Sequence, residues 1–162
     1  LCQNNIAVII APRNITLSDS WIEELSKEGI KACKKTELKD SELIVLDTIG
    51  ELASVYKLSS ASFVGGSLDH NKTGGHNPLE VLQQEVPLLM GPYYRNFADI
   101  VEQLKAVNGI EIINTAEEGY YSIIKILNTD TLSDKMIDAG KRVLNNNKGV
   151  VLKTLNLVRN LL

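Results

Sequence analysis

Cysteine is scarce in this chain, with only Cys2 and Cys33 among 162 residues. One lies near the chain start and the other inside an expected strand. Such a pair forms neither a disulfide framework nor a metal-ligand spacing, so a reducing compartment is the simple expectation and no metal is expected. Aromatic residues make up 5% of the chain, and 17 Lys+Arg stand against 20 Asp+Glu for a net charge of −3. Without a basic stripe interleaved with aromatics, nucleic acid is not an expected partner. Long apolar runs are missing too. The longest extend five to six residues, as in Ile6 to Ala11, far short of the ~20 that cross a bilayer. No signal peptide is visible. The chain opens on Leu1 rather than Met, which leads us to expect a piece of something longer, soluble by itself.

What is present is ordinary in amount: 44% hydrophobic and 23% charged residues, the balance of a soluble globular domain. The length fits one domain that buries roughly 70% of its unfolded surface. Short β-rich runs alternate with helical patterns. Strands are predicted at Ile6–Ala11, Ile30–Lys34, Leu43–Leu46, Ala61–Val64, Pro87–Met90 and Ile110–Ile113. Helices are predicted at Leu17–Lys27 (Trp21, Ile22 and Leu25 on one face), Glu51–Leu58, Pro78–Glu85 and Asn96–Val107. From Glu117 onward the pattern reads as three helical segments, broken near Asn128–Thr131 and Asn145–Gly149. Strands alternating with helices predict βαβ units, and apolar runs without alternation predict coverage on both faces. The expectation is α/β: a Rossmann-like open parallel sheet of about six strands with helices on both sides. Residues 1–148 are read as this domain. Residues 149–162 are read as a C-terminal helix whose apolar stripe (Val151, Leu152, Leu155, Val158, Leu162) wants a partner surface, here or on a domain outside the chain.

In open parallel sheets, ligands bind at the carboxyl ends of the strands, and the unusual residues cluster there. Pro12-Arg13-Asn14 follows the first strand and Asp47-Thr48-Ile49-Gly50-Glu51 the third. Gly65-Gly66-Ser67 and then Gly74-Gly75-His76-Asn77-Pro78-Leu79-Glu80 follow the fourth, and Gly91 to Phe97 the fifth. Gly65 and Gly66 let a ligand approach the backbone. Asn77 suits an N-cap, Pro78 the first helical position, and Glu80 the third position of a capping box. Open N–H groups at a helix start attract an anion such as phosphate, although glycine pairs before helices are also common in plain turns. The glycine spacing matches neither the dinucleotide fingerprint nor a P-loop.

Several residues carry two readings each. Glu80 is a capping carboxylate or an acceptor for ribose hydroxyls. Arg13 is a surface arginine or a bidentate clamp on phosphate or carboxylate. Thr48 and Glu51 match a capping box, while the backbone of Ile49 and Gly50 is placed to face a base. His76 is a loop histidine, a sugar contact or a general acid. His70 is read as solvated, Arg95 as within reach of a ligand, and Tyr93 and Tyr94 as packing residues.

At these residues the chain resembles a known family. Phe63-Val-Gly-Gly-Ser-Leu68 followed by Gly74-Gly-His-Asn-Pro-Leu-Glu80 is similar to the signature of the 3-deoxy-D-manno-octulosonic acid (Kdo) transferases. Asp47-Thr-Ile-Gly-Glu-Leu52 with Tyr56, Ala11-Pro12-Arg13, and Gly91-Pro92 with Asn96-Phe97 are similar to three further motifs of that family, in order across residues 6–150. The resemblance implies the C-terminal half of a GT-B glycosyltransferase. That enzyme moves Kdo from CMP-Kdo to a lipid A precursor, by inverting displacement at the anomeric carbon and without a bound metal or other cofactor. It implies that Arg13, Ser67 and the Gly75–Asn77 helix start hold phosphate, with Pro12 and Gly66 beside them. Glu80 takes the ribose, Ile49 and Gly50 line the base, and His76 adds a substrate contact. The acceptor site and catalytic base belong to the N-terminal domain, so no catalytic residue is expected here and the chain alone should be inactive. The parent protein is expected at the cytoplasmic face of the bacterial inner membrane. One departure stands out: Asn14 occupies the place of the family's usual histidine, which removes a charge at that edge. Asp69–Thr73 lengthens the glycine loop in the manner of an insertion. A UDP-sugar-using GT-B domain and a non-catalytic α/β ligand-binding module are the other readings open at this point.

Overall fold

In the computed structural model, residues 6–71 and 74–159 are described, with side chains through 147. Cys2, the 72–73 tip of the glycine loop and the side chains of the 149–162 stripe lie outside that set. The chain divides into two compact units, Leu1–Leu52 and Ala53–Leu162.

The first unit contains β1 (Val8–Ile10), α1 (Ser18–Lys27), β2 (Ala32–Lys34) and β3 (Leu43–Val45). All pairings are parallel, in the order β1-β3-β2. The central strand β3 buries Leu43 and Val45. A 3₁₀ turn at Ile15–Leu17 leads into α1, where Ser18 is buried and its hydroxyl donates to the Ile15 carbonyl at 2.7 Å. Asn14 caps that turn, its Oδ1 accepting from the Thr16 amide at 3.1 Å and the Thr16 hydroxyl at 2.8 Å. The residue in place of the family's histidine is therefore a local cap.

The second unit contains α2 (Leu52–Leu58), which straddles the division, β4 (Ser62–Val64), α3 (Leu79–Gln83) and β5 (Leu88–Met90). It continues with α4 (Ala98–Ala106), β6 (Glu111–Ile112), α5 (Ala116–Leu127) and α6 (Asp130–Arg159). Its sheet is again parallel, in the order β4-β5-β6. Leu88, Leu89 and Met90 of the central strand are fully buried. Alternation along the strand divides them. Leu88 and Met90 join a cluster with Val81, Leu82, Val101, Leu104 and Val143, whereas Leu89 packs with Ile113, Ile126 and Met136. Helical residues therefore cover both faces, as the continuous apolar runs predict.

Two expectations are corrected. The strands form two three-stranded sheets rather than one sheet of six. Apolar runs report that a strand is covered; they say nothing of which strands share hydrogen bonds. The expected break near Asn145–Gly149 is also absent, because α6 runs unbroken from Asp130 to Arg159. Asn147 supports it there, its Nδ2 donating to the Val143 carbonyl and to Gln103 Oε1, both at 2.9 Å. Tertiary hydrogen bonding overrides a weak local propensity.

The burial pattern gives a direct contrast. Leu88→Ala should cost about 2–5 kcal/mol in chemical denaturation. Leu58→Ala, at a side chain 83% exposed, should fall within about 0.5 kcal/mol of wild type.

Candidate functional site

In the second unit, the loop after β4 folds back on its own strand end. Gly66, Gly74 and Gly75 hold positive φ of 71°, 77° and 84°, a region that strains other residues. The Gly75 amide donates to the Gly66 carbonyl at 2.8 Å and the His76 amide to the Gly65 carbonyl at 3.1 Å. Two of the three amides in the expected Gly75–Asn77 anion site are thus engaged in holding the loop. Beyond them, α3 is only five residues long, so few peptide dipoles align at its start.

Ser67 is fully buried. Its hydroxyl donates to the Val64 carbonyl and accepts from the Gly91 amide, both at 2.8 Å. The Tyr93 amide donates to the Ser67 carbonyl at 2.9 Å. The two backbones approach so closely that a Cβ on Gly91 would overlap the Ser67 carbonyl. The loops after β4 and β5 are therefore locked together, and Ser67 sits in the lock.

Asn77 and Glu80 form the outward part of this loop. Asn77 Oδ1 accepts from the Leu79 amide at 3.0 Å, and its Nδ2 donates to Glu80 Oε1 at 3.1 Å. Asn77 does cap α3, one residue earlier than the helix bounds imply. The Glu80 carboxylate reaches the Asn77 side chain in place of the backbone amide expected of a capping box. Glu80 is exposed yet held in one direction. Half-buried Tyr56 on α2 registers it: burial first, and then the Glu80 charge, push the tyrosine hydroxyl above its usual pKa. A cleft of about 350 Å³ lies beside this loop, lined by His70, Gly74, Pro92, Tyr93, Tyr94, Arg95 and Ala98. Tyr94 anchors its wall to α4, donating to Glu102 Oε1 at 2.7 Å while Lys105 Nζ donates to Tyr94 Oη at 2.9 Å.

In the first unit, Ile10 and Val45 are partners in register, so the Pro12-Arg13 loop and the Asp47–Glu51 loop leave the same end of that sheet. Pro12 is buried and Arg13 exposed. Ile49 is 83% exposed and Gly50 has φ 87°. The flanks of this apolar tip are tied down. The Thr36 amide donates to Asp47 Oδ1 at 3.1 Å, and the Thr36 hydroxyl donates to the same carboxylate. Lys35 Nζ donates to Glu51 Oε1 at 2.8 Å, and the Thr48 hydroxyl donates to Oε2. The Thr36 hydroxyl holds the Asp47 carboxyl below its usual range, and Lys35, then Thr48, do the same for Glu51. The long-range Lys35–Glu51 pair has no signature in sequence spacing. Among the described residues no group of His, Cys, Asp and Glu is placed to hold a metal ion, and no helix is long and apolar enough to cross a membrane.

Parallel strands with covering helices and glycine-rich loops at their carboxyl ends define a Rossmann-like α/β domain. No protein-family model matches the chain. Curated relatives do. The 3-deoxy-D-manno-octulosonic acid transferase of Haemophilus influenzae is 32% identical over 160 residues, covering 96% of this chain and 37% of that protein. The enzyme of the same name from Chlamydophila psittaci is 37% identical over 105 residues, covering 63% and 24%. Among solved structures, the C-terminal CMP-Kdo binding domain of WaaA from Acinetobacter baumannii matches with a TM-score of 0.79 and 28% identity, covering 84% of this chain and 72% of that one. By sequence and by fold, the chain is a relative of the Kdo transferases, matched to their C-terminal domain. It spans about a third or less of the length of these curated relatives.

Two predictions follow from this geometry. Gly91→Ala should unfold the second unit at lower denaturant than Ser67→Ala does. The former forces two backbones apart, while the latter leaves the Gly91 amide unsatisfied at about 1–3 kcal/mol. Acid should loosen the Ile49 loop. Because the folded pKa values of Asp47 and Glu51 are lowered, their contribution is complete above the unfolded carboxylate range and is lost as pH falls through the folded values. The Ile49 amide resonance followed by NMR should stay fixed near neutrality and shift only below that range.

Proposed function

We propose that this chain is the donor-binding domain of a GT-B glycosyltransferase that moves Kdo from CMP-Kdo to a lipid A precursor in lipopolysaccharide synthesis. The single observation that carries the reading is the overlap with a CMP-Kdo binding domain across 84% of this chain. The acceptor and the catalytic base belong to the N-terminal domain of the parent protein, which works at the cytoplasmic face of the inner membrane.

In this reading the donor is held by contacts of different kinds. Arg13, beside Pro12, supplies a charge-assisted clamp on the phosphate. The Gly66–Ser67 and Gly75–Asn77 segments, with His76, shape the backbone cradle around the phosphate and sugar. Glu80 accepts from the ribose hydroxyls, with its carboxylate aimed by Asn77. The exposed Ile49 tip and Gly50 line the base. Chemically, this domain positions CMP-Kdo and stabilises the negative charge that develops on the departing CMP phosphate. The bond from the anomeric carbon to the phosphate oxygen breaks as the acceptor oxygen attacks from the opposite face.

In the full-length enzyme, Arg13→Ala and Glu80→Ala should each lower kcat/KM by about 10- to 100-fold, the worth of one charged hydrogen bond. Wild-type kinetics in both would overturn the assignment. A nucleotide series separates donors. Chemical-shift changes at Arg13, Asn77 and Glu80 with CMP but not UMP are the expected result, and the reverse selectivity would move the reading to a UDP-sugar donor.

A further inference from the structure

The donor in the proposed reading carries two anions, a phosphate and the carboxylate of its sugar acid. Arg13 is assigned to the phosphate, and Asn14 is a local cap with no charge to offer. The carboxylate has no partner among those contacts. Enclosing a carboxylate between loops without a cation is unfavourable, so the donor site calls for a second positive group. The cleft of about 350 Å³ beside the glycine loop has one in Arg95, and its volume lies within the range of small-molecule sites. Arg95 is exposed, yet its side chain has a direction. A Cβ on Gly74 would stand 2.5 Å from Arg95 Cγ and 2.9 Å from its Nε. The arginine stem therefore lies across the bare face of that glycine. The Asn96 amide donates to the Gly74 carbonyl at 3.2 Å, which fixes the backbone beside it. Two lysines of the second unit are paired, Lys105 with Glu102 and Lys141 with Glu85. Arg95 has no such pair among the described residues. Other lining residues are held as well. Tyr94 Oη is engaged by Glu102 and Lys105, and the Tyr93 ring rests against His70 with centroids 5.9 Å apart.

We propose that this cleft receives the carboxylate of the donor's sugar, and that Arg95 is the residue that selects an acidic sugar. The inference rests on the donor reading above and adds a sugar subsite to it. A guanidinium presents two parallel N–H groups that match the two oxygens of a carboxylate. A neutral sugar offers no partner to that fork, so the charged pair discriminates in favour of the acid. The placement fits the order of the chain. Gly74 lines the cleft and directly precedes Gly75–Asn77, the segment assigned to the phosphate and sugar. The cleft thus adjoins the point where the sugar departs from the phosphate. An anion on the acceptor would suit the same guanidinium, and kinetics separate the two.

The test uses the full-length enzyme with CMP-Kdo as donor and CMP, which lacks the carboxylate, as competitive inhibitor. Arg95→Gln removes the charge and keeps a stem over Gly74. It should raise the KM for CMP-Kdo about 10- to 100-fold, the worth of one charged hydrogen bond. The inhibition constant of CMP and the KM of the acceptor should stay within about twofold of wild type. Arg95→Lys keeps the charge but loses the planar fork, and its KM should fall between the two. An unchanged KM for CMP-Kdo in Arg95→Gln would overturn the subsite and leave the donor reading standing. Equal weakening of CMP would assign Arg95 to the phosphate, and a rise confined to the acceptor KM would assign it to the acceptor; either result overturns the inference. A wild-type enzyme that neither uses CMP-Kdo nor is inhibited by CMP would remove the donor reading itself, and the subsite with it.

Discussion

The Ser67 hydroxyl joins the ends of two strands. It is fully buried, gives its proton to Val64 and takes one from Gly91. A hydroxyl with both functions satisfied costs little to bury, whereas the same group with either partner removed carries the desolvation penalty of an orphan. The lock also requires a glycine at position 91, because the Ser67 carbonyl occupies the space a side chain would need. With β4 and β5 held at this spacing, the loops that leave them have fixed origins. The Tyr93 amide reaches the Ser67 carbonyl, and Gly75 and His76 reach the carbonyls of Gly66 and Gly65. Asn77 and Glu80 then stand at the rim in a single arrangement.

This hierarchy separates residues that build the site from residues that face outward. Gly66, Ser67, Gly75 and the His76 backbone are committed to the loop's own geometry. Arg13, Ile49 and Glu80 are exposed, and their neighbours do the orienting: Asn77 for Glu80, and the Thr36, Lys35 and Thr48 contacts for the Ile49 tip. A contiguous motif such as Gly74–Glu80 thus mixes two kinds of constraint. Substitutions within it should differ in what they disturb: folding for the glycines and, in the proposed reading, donor contacts for the rim.

Much of this was legible in the sequence because it is local. The apolar runs place β4 and β5 to within a residue or so, and Asn77 and Pro78 mark the start of α3. What was not legible depends on groups far apart in the chain. Ser67 and Gly91 are 24 residues apart, and Lys35 and Glu51 are 16 apart. Neither separation has a period or a spacing rule. The division into two sheets was hidden for the same reason: pairing is a property of two strands, while a hydrophobic run describes one. The continuity of α6 through Asn145–Asn147 was hidden by propensity, since Asn147 is stabilised by Gln103 on another helix.

Charge sets a further condition on the proposed donor. The chain carries net −3, and a nucleotide sugar bearing phosphate and carboxylate is itself an anion. At physiological ionic strength the screening length is about 8 Å, so the overall charge neither draws the donor in nor strongly repels it. Recognition must come from contacts shorter than that length. Directed groups on rigid loop ends meet this condition, since a hydrogen bond to a phosphate or a ribose hydroxyl operates at about 3 Å and is barely screened. The same reasoning explains why a carboxylate is tolerable at the rim. Glu80 would repel a phosphate placed on it, but in the proposed pose it stands beside the phosphate and meets neutral hydroxyls, with its carboxylate aimed by the Asn77 amide. In the proposed reading, selectivity among nucleotides lies with the Ile49 tip, which offers apolar surface, and with the Gly50 backbone, which has no side chain to hinder approach.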